Sequence, residues 1–187
     1  MAMNVSEQGD LALQEANGVL AQMNDGQFEE FAKAIAGAKR VALHGLGREG
    51  LQMKGLAMRL FHLGLDAHVA GVMTTPPVGV GDLLLVSSGP GDFASITALV
   101  DIASKAGAFT AVVTAQAGSA TARRADHVLH IPAQTMANDQ QGKVSVLPMG
   151  SLFEVSMMLV FELLALRLRE LKGETAETMR ARHTNLE

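Results

Sequence analysis

Between residues 41 and 132 the chain repeats one pattern: a short apolar run, a turn, then a stretch with helical spacing. The runs are Val41-Ala42-Leu43-His44, then 67–71, 82–88, 109–114 and 127–132. They are apolar on successive residues rather than on alternate ones, so neither face of such strands can be left in water. Strands that alternate with helices run parallel, because each helix returns the chain to the same end of the sheet. The pattern therefore predicts an α/β fold, a parallel sheet sandwiched between two helical layers. Right-handed crossovers then leave few topologies.

The helical segments lie at about 7–37, with a break near Asn24-Asp25-Gly26, and at 49–63, where Gly64 supplies the stop. Others run from Gly91-Asp92 to about Lys105, over 117–124, over 151–171 and over 175–182. The stretch 133–146 is polar and reads as a loop. All 187 residues are expected to form one domain, with the helices at about 7–37 and 151–182 as extensions.

Composition removes several classes of function. With 15 Lys and Arg against 19 Asp and Glu, a net charge of −4, the chain has no basic footprint for nucleic acid. Its longest apolar stretch, 155–166, contains Glu162 and is too short to span a bilayer. The opening MAMNVSEQGD lacks the basic-then-apolar form of a secretion signal, and the absence of Cys fits a reducing compartment. A cytoplasmic protein with no membrane partner is expected.

In an open parallel sheet, ligands bind beyond the carboxyl ends of the strands, where strand order reverses. Two such ends are unusual. One reads His44-Gly45-Leu46-Gly47-Arg48-Glu49-Gly50, the other Ser87-Ser88-Gly89-Pro90-Gly91-Asp92. Each leads into a helix N-terminus, whose free N–H groups suit an anion, although the same glycines equally suit ordinary tight turns. Gly45, Gly47 and Gly50 also fit G-x-G-x-x-G. The second strand, however, ends in Val69-Ala70-Gly71-Val72 without the acid a dinucleotide fold places there, so nucleotide binding ranks low. Ser151-Leu152-Phe153-Glu154 has the form of a capping box, and from spacing alone Glu154 reads first as a helix cap. The six His are scattered and His68, His127 and His130 read as structural. No metal site and no cofactor are expected, although His44, Glu49 and Asp92 could converge.

Several segments in order resemble the sugar isomerase (SIS) domains, most closely the 6-phospho-3-hexuloisomerases. They are Gly45-Leu46-Gly47-Arg48-Glu49-Gly50, then Ala57-Met58-Arg59-Leu60-Phe61-His62-Leu63-Gly64, Thr74-Thr75-Pro76 and Gly81-Asp82-Leu83-Leu84. The match continues through Leu147-Pro148-Met149-Gly150-Ser151-Leu152-Phe153-Glu154 and ends at Arg182-His183 and Asn185-Leu186-Glu187. The resemblance implies a five-stranded parallel sheet of flavodoxin-like order and a homodimer or homotetramer with sites shared between subunits. It also implies aldose–ketose or ketose–ketose isomerisation of a sugar phosphate through an enediolate. It makes Glu154 the base, with His183, reaching a neighbouring subunit's site, and His62 as partners. Sugar contacts then fall to Gly45, Gly47, Arg48, Glu49, Ser87, Ser88, Gly89, Asp92 and Ser95, and His44, beside the pocket where the family often has a small residue, is expected as a new contact. The alternative is a non-catalytic module that binds a sugar derivative and regulates.

The departures bear on the phosphate. In the family the second loop reads S-G-S-G-E-T, and its hydroxyls and amides hold the substrate phosphate; here it reads Ser88-Gly89-Pro90-Gly91-Asp92-Phe93. Pro90 has neither hydroxyl nor N–H, Phe93 replaces a Thr, and Glu49 replaces the first loop's Ser. A phosphate dianion beside Glu49 and Asp92 would be repelled, by about 4 kcal/mol per charge pair at ~4 Å and an effective dielectric near ~20. Arg48 offsets part of this. The pocket is expected to persist but to suit a neutral, amine-bearing or otherwise modified sugar, or an anion placed differently.

Overall fold

In the computed structural model, which describes residues 3–140, 142 and 145–186, the five apolar runs pair into one parallel sheet. The loop expected over 133–146 lies partly outside the described residues, at 141, 143 and 144, as does the terminal Glu187. The strands are β1 (Val41–His44), β2 (Ala67–Val69), β3 (Leu83–Ser87), β4 (Phe109–Thr114) and β5 (His127–His130), in the order β2-β1-β3-β4-β5. β1 pairs with β3 from Val41 opposite Leu83 to His44 opposite Val86. The loops after these two strands therefore leave the sheet side by side, at the point where strand order reverses.

Among the described residues seven helices accompany the sheet: α1 (Val5–Leu20), α2 (Asp25–Gly37), α3 (Gly47–His62), α4 (Ala94–Lys105), α5 (Ala120–Arg124), α6 (Ser151–Lys172) and α7 (Ala176–Ala181). The unbroken apolarity of the strands has a direct cause. Val41, Leu43, Leu83, Leu85, Ala111 and Val113 enter the core shared with α1, α2, α3 and α6. Ala42, Leu84, Val86 and Val112 enter a second core with Ile96, Val100 and Ala103 of α4. Each large residue so buried contributes about 1.5–3 kcal/mol. α3 stops where the sequence placed its stop. Gly64 takes φ +76°, its N–H donates to Phe61 O at 2.9 Å, and Leu65 N donates to Leu60 O at 3.0 Å.

Two boundaries differ from expectation for one reason. α4 begins at Ala94 rather than just after Gly91, and Phe93 caps it without a side-chain bond. Asp92, the residue suited to cap it, instead accepts from Ala120 N at 3.1 Å and Thr121 N at 2.7 Å. It closes the first turn of α5, which starts at Ala120 rather than 117.

α2 is tied to α6 by a two-pronged ion pair, with Arg167 Nε and Nη2 each 2.7 Å from a Glu29 carboxylate oxygen. The Arg167 hydrogen bonds hold the Glu29 carboxyl down at about 2. A depressed acid stabilises the fold above its unfolded value of 4.5 and loses that contribution as pH falls toward about 2. Arg167→Gln is expected to flatten the acid limb of the melting temperature over that window, measured by circular dichroism. Among the described residues no helix is long and apolar enough to cross a membrane.

Candidate active site

Three elements converge above the β1–β3 junction. α3 brings Arg48 and Glu49 in its first turn. The end of β3 brings Ser87 and, just beyond it, Ser88 and Gly89. α6 brings Phe153 and Glu154, also in its first turn.

The glycines of the first loop are set by close approach. A Cβ on Gly50 would lie 2.5 Å from Gly45 O, and one on Gly45 would lie 2.9 Å from Met53 Cγ. Gly47 adopts φ +53°. The G-x-G-x-x-G spacing thus seats α3 tightly on β1, which accounts for it without a nucleotide.

Glu154 does not cap α6. The expected capping box is absent: Ser151 already lies inside the helix, the cap is Gly150 at φ +73°, and no side-chain cap bond forms. Met149 is left-handed as well, at φ +54°. This pair of turns presses Gly150 against the preceding loop, where a Cβ would sit 2.4 Å from Met136 N. A tertiary contact therefore sets the helix start. The Glu154 carboxylate is left to bond Arg48 Nε, a pair joined across 106 residues of chain. Its side chain is 16% exposed, against 69% for Arg48, so the carboxylate lies low in the site with the guanidinium over it.

Glu49 is the surprise of the site. Its Oε2 accepts from Ser87 Oγ and, at 3.0 Å, from Gly89 N. Burial pushes the Glu49 carboxyl up, partly countered by these two bonds, and the Glu154 charge pushes the same way as burial. Gly89 has no room for a side chain, since a Cβ would lie 2.5 Å from Phe153 Cε1 and 2.8 Å from Glu49 Oε1. Phe153, buried against this loop, is a wall of the site that carries no local signal in the sequence beyond its place in the 147–154 match.

The other expected residues are placed less uniformly. The Ser88 hydroxyl donates to Gly91 O and closes the loop on itself, while Thr114 Oγ1 bonds Ser88 O at 2.7 Å. Asp92 is turned to the amides of α5, whose bonds hold its carboxyl below the usual range, so it does not face Glu49. Ser95 is exposed on the first turn of α4. His44 Nδ1 stands 3.2 Å from Ala70 O, on a neighbouring cavity of about 250 Å³ that Lys54 also lines. His62 is buried at the far end of α3, stacked on His183 with ring centroids 5.2 Å apart. Arg182 Nη1 donates to His62 O at 3.0 Å and is itself paired with Glu174. Fifteen residues of helix, roughly 22 Å, separate His62 from Gly47. One chain alone therefore does not bring His62 and His183 to Glu154. Among the described residues no three His, Asp or Glu side chains are grouped to hold a metal ion.

A parallel sheet of this order, with two glycine-bearing loops and a carboxylate meeting at its switch point, defines a ligand-binding α/β protein. The chain belongs to the SIS domain family, which matches residues 34–160. It is 33% identical over 175 residues to the 3-hexulose-6-phosphate isomerase of Bacillus subtilis, covering 94% of this chain and 95% of that protein. It is 38% identical over 177 residues to the 3-hexulose-6-phosphate isomerase of Mycobacterium gastri, covering 95% and 88%. Among solved structures, a hypothetical protein from Methanococcus jannaschii, whose crystal structure infers a molecular function of 3-hexulose-6-phosphate isomerase, aligns with a TM-score of 0.81. That alignment has 24% identity and covers 97% of this chain and 99% of the other.

Proposed function

We infer that this chain is a sugar isomerase of the 3-hexulose-6-phosphate isomerase type, with Glu154 as the base. The observation that carries this is the delivery of Glu154 by α6 to the loops after β1 and β3, with Arg48 beside it. Moving a carbonyl along a sugar requires a base at one carbon and return of the proton to its neighbour. Glu154 takes the proton from the carbon next to the carbonyl, and the electron pair forms the enediolate double bond. The proton returns to the former carbonyl carbon, while a hydroxyl proton passes between the two oxygens. Arg48, released from Glu154 when substrate enters, faces the charge that develops on the enediolate oxygen. The test is turnover of 3-hexulose 6-phosphate, and of unphosphorylated and amino-bearing hexuloses, in D2O with deuterium incorporation at the exchanging carbon. If neither turnover nor exchange is seen, the chain is a sugar-binding regulatory module instead, a reading that the occupied loop donors at Ser87 and Gly89 favour.

The protein acts in the cytoplasm as a homodimer or homotetramer, and a second copy supplies His183, and with it His62, to the site. Exposed apolar side chains support the assembly: Leu51 at 66% and Met58 at 50% on α3, with Met158 at 60% and Leu166 at 51% on α6. Leu51, Met58 and Met158 border a groove of about 310 Å³ that also takes in Phe161, and Leu166 lines a second of about 320 Å³ with Leu20, Met23 and Phe28. Met158→Lys is expected to shift the mass in light scattering toward the monomer and to lower turnover together with it. An unchanged mass at low micromolar concentration would place the interface elsewhere.

A further inference from the structure

We propose that Glu49 sets which end of a sugar this site accepts, because its carboxylate already occupies the donors that a phosphoryl group would use. The loop at 87–89 then receives a hydroxyl or ammonium group rather than a phosphate dianion. This rests on the isomerase reading and narrows its substrate.

The argument is one of occupancy. Ser87 Oγ and Gly89 N are the two donors aimed inward at the end of β3, and both are given to the same Glu49 oxygen. The neighbouring hydroxyl is also committed, since Ser88 Oγ is bonded to Gly91 O. Pro90 offers no N–H. An entering dianion finds these donors taken and a carboxylate in the way, with Phe153 packed against Gly89. The one cation beside this carboxylate in sequence, Arg48, is bonded to Glu154 instead. A group that donates hydrogen bonds meets the opposite situation, because Glu49 Oε1 has no hydrogen-bond donor among the described residues and can accept. Asp92 plays no part, its carboxylate being held by α5.

Protonation is the natural release. Burial raises the Glu49 carboxyl, so it takes up its proton earlier than an ordinary acid as pH falls. The charged groups around it are Glu154 on α6 and Arg48 on its own helix, while the end of β3 and the loop after it contribute Ser87 and Gly89, which do not titrate. Variants at Glu49 therefore assign any pH effect on binding to this carboxyl.

The experiment uses calorimetry on the full chain, which reads binding whether or not any sugar is turned over. At pH 8 the wild type is expected to bind a hexulose 6-phosphate no more tightly than the same hexulose without phosphate. Glu49→Ser, which restores the hydroxyl of the related loop, is expected to bind the phosphorylated sugar at least tenfold more tightly than the wild type. Sulfate, whose charge does not change between pH 8 and pH 5, serves as the pH probe. Its affinity for the wild type is expected to rise severalfold across that range and to stay flat in Glu49→Gln and Glu49→Ser. Glu49→Gln keeps an acceptor oxygen for Ser87 and Gly89 and carries the test if the Ser variant fails to fold. It is expected to melt no lower than the wild type at pH 8, because a buried acid with a raised pKa opposes folding once ionised. A wild type that prefers the phosphorylated sugar tenfold at pH 8, or Glu49 variants that gain no affinity for it, would overturn the proposal. Absence of turnover with these binding results intact would count against the isomerase reading alone.

Discussion

Glu154→Gln is expected to lower kcat by about 10²–10⁴-fold on any sugar that the wild type isomerises, the range typical for loss of a positioned general base. Binding should survive, because Gln keeps the shape of the side chain and can still meet Arg48. The change also removes one of two neighbouring negative charges, so ligand affinity should hold or improve. Steady-state kinetics checks the first point and calorimetry the second. Deuterium exchange from solvent into the substrate should fall in step with kcat, since both need the same proton transfer. A variant that keeps wild-type turnover would move the base elsewhere, and Glu49, the other carboxylate in the site, would be the residue to test next.

The second large effect is expected at Gly150. Its φ of +73° disfavours any side chain, and a Cβ there would lie 2.4 Å from Met136 N and 2.5 Å from Thr135 C. Both neighbours are backbone and cannot swing aside. Gly150→Ala therefore combines left-handed strain of about 1–2 kcal/mol with overpacking of about 1–3 kcal/mol. A loss near 3 kcal/mol in urea unfolding is expected, with a fall in kcat because the start of α6 carries Glu154. Gly173, left-handed at φ +65° with nothing within 4 Å, is the control: Gly173→Ala should show the backbone cost and no effect on turnover.

The layered fold was readable in the chain because its determinants are local. Runs such as 83–86 are apolar at every position, and stops such as Gly64 sit where a left-handed residue is needed. The site was readable only as far as its loops. What each side chain in them does depends on partners far along the chain. Glu49 reaches Gly89 across 40 residues, and Asp92 reaches Ala120 across 28. Both acids look alike from sequence, as repulsive charges beside a phosphate. In space one fills the site and the other serves a helix. The capping box at Ser151 failed for a related reason: the contact of Gly150 with Thr135 and Met136 outweighs the local preference of S-x-x-E.

The late position of α6 has a consequence for how the protein is made. The sheet is complete at His130, yet its face bearing Leu43, Leu85 and Val113 is covered in part by α6 side chains such as Phe153, Met157, Val160 and Leu164, which follow later in the chain. On a ribosome that chain emerges from its N-terminus. Strands, turns and the bonds of Glu49 to Ser87 and Gly89 can all form while that face is still partly bare. The same helix that finally shields it also delivers Glu154, so becoming sealed against aggregation and becoming equipped for chemistry are a single late event in the birth of each molecule.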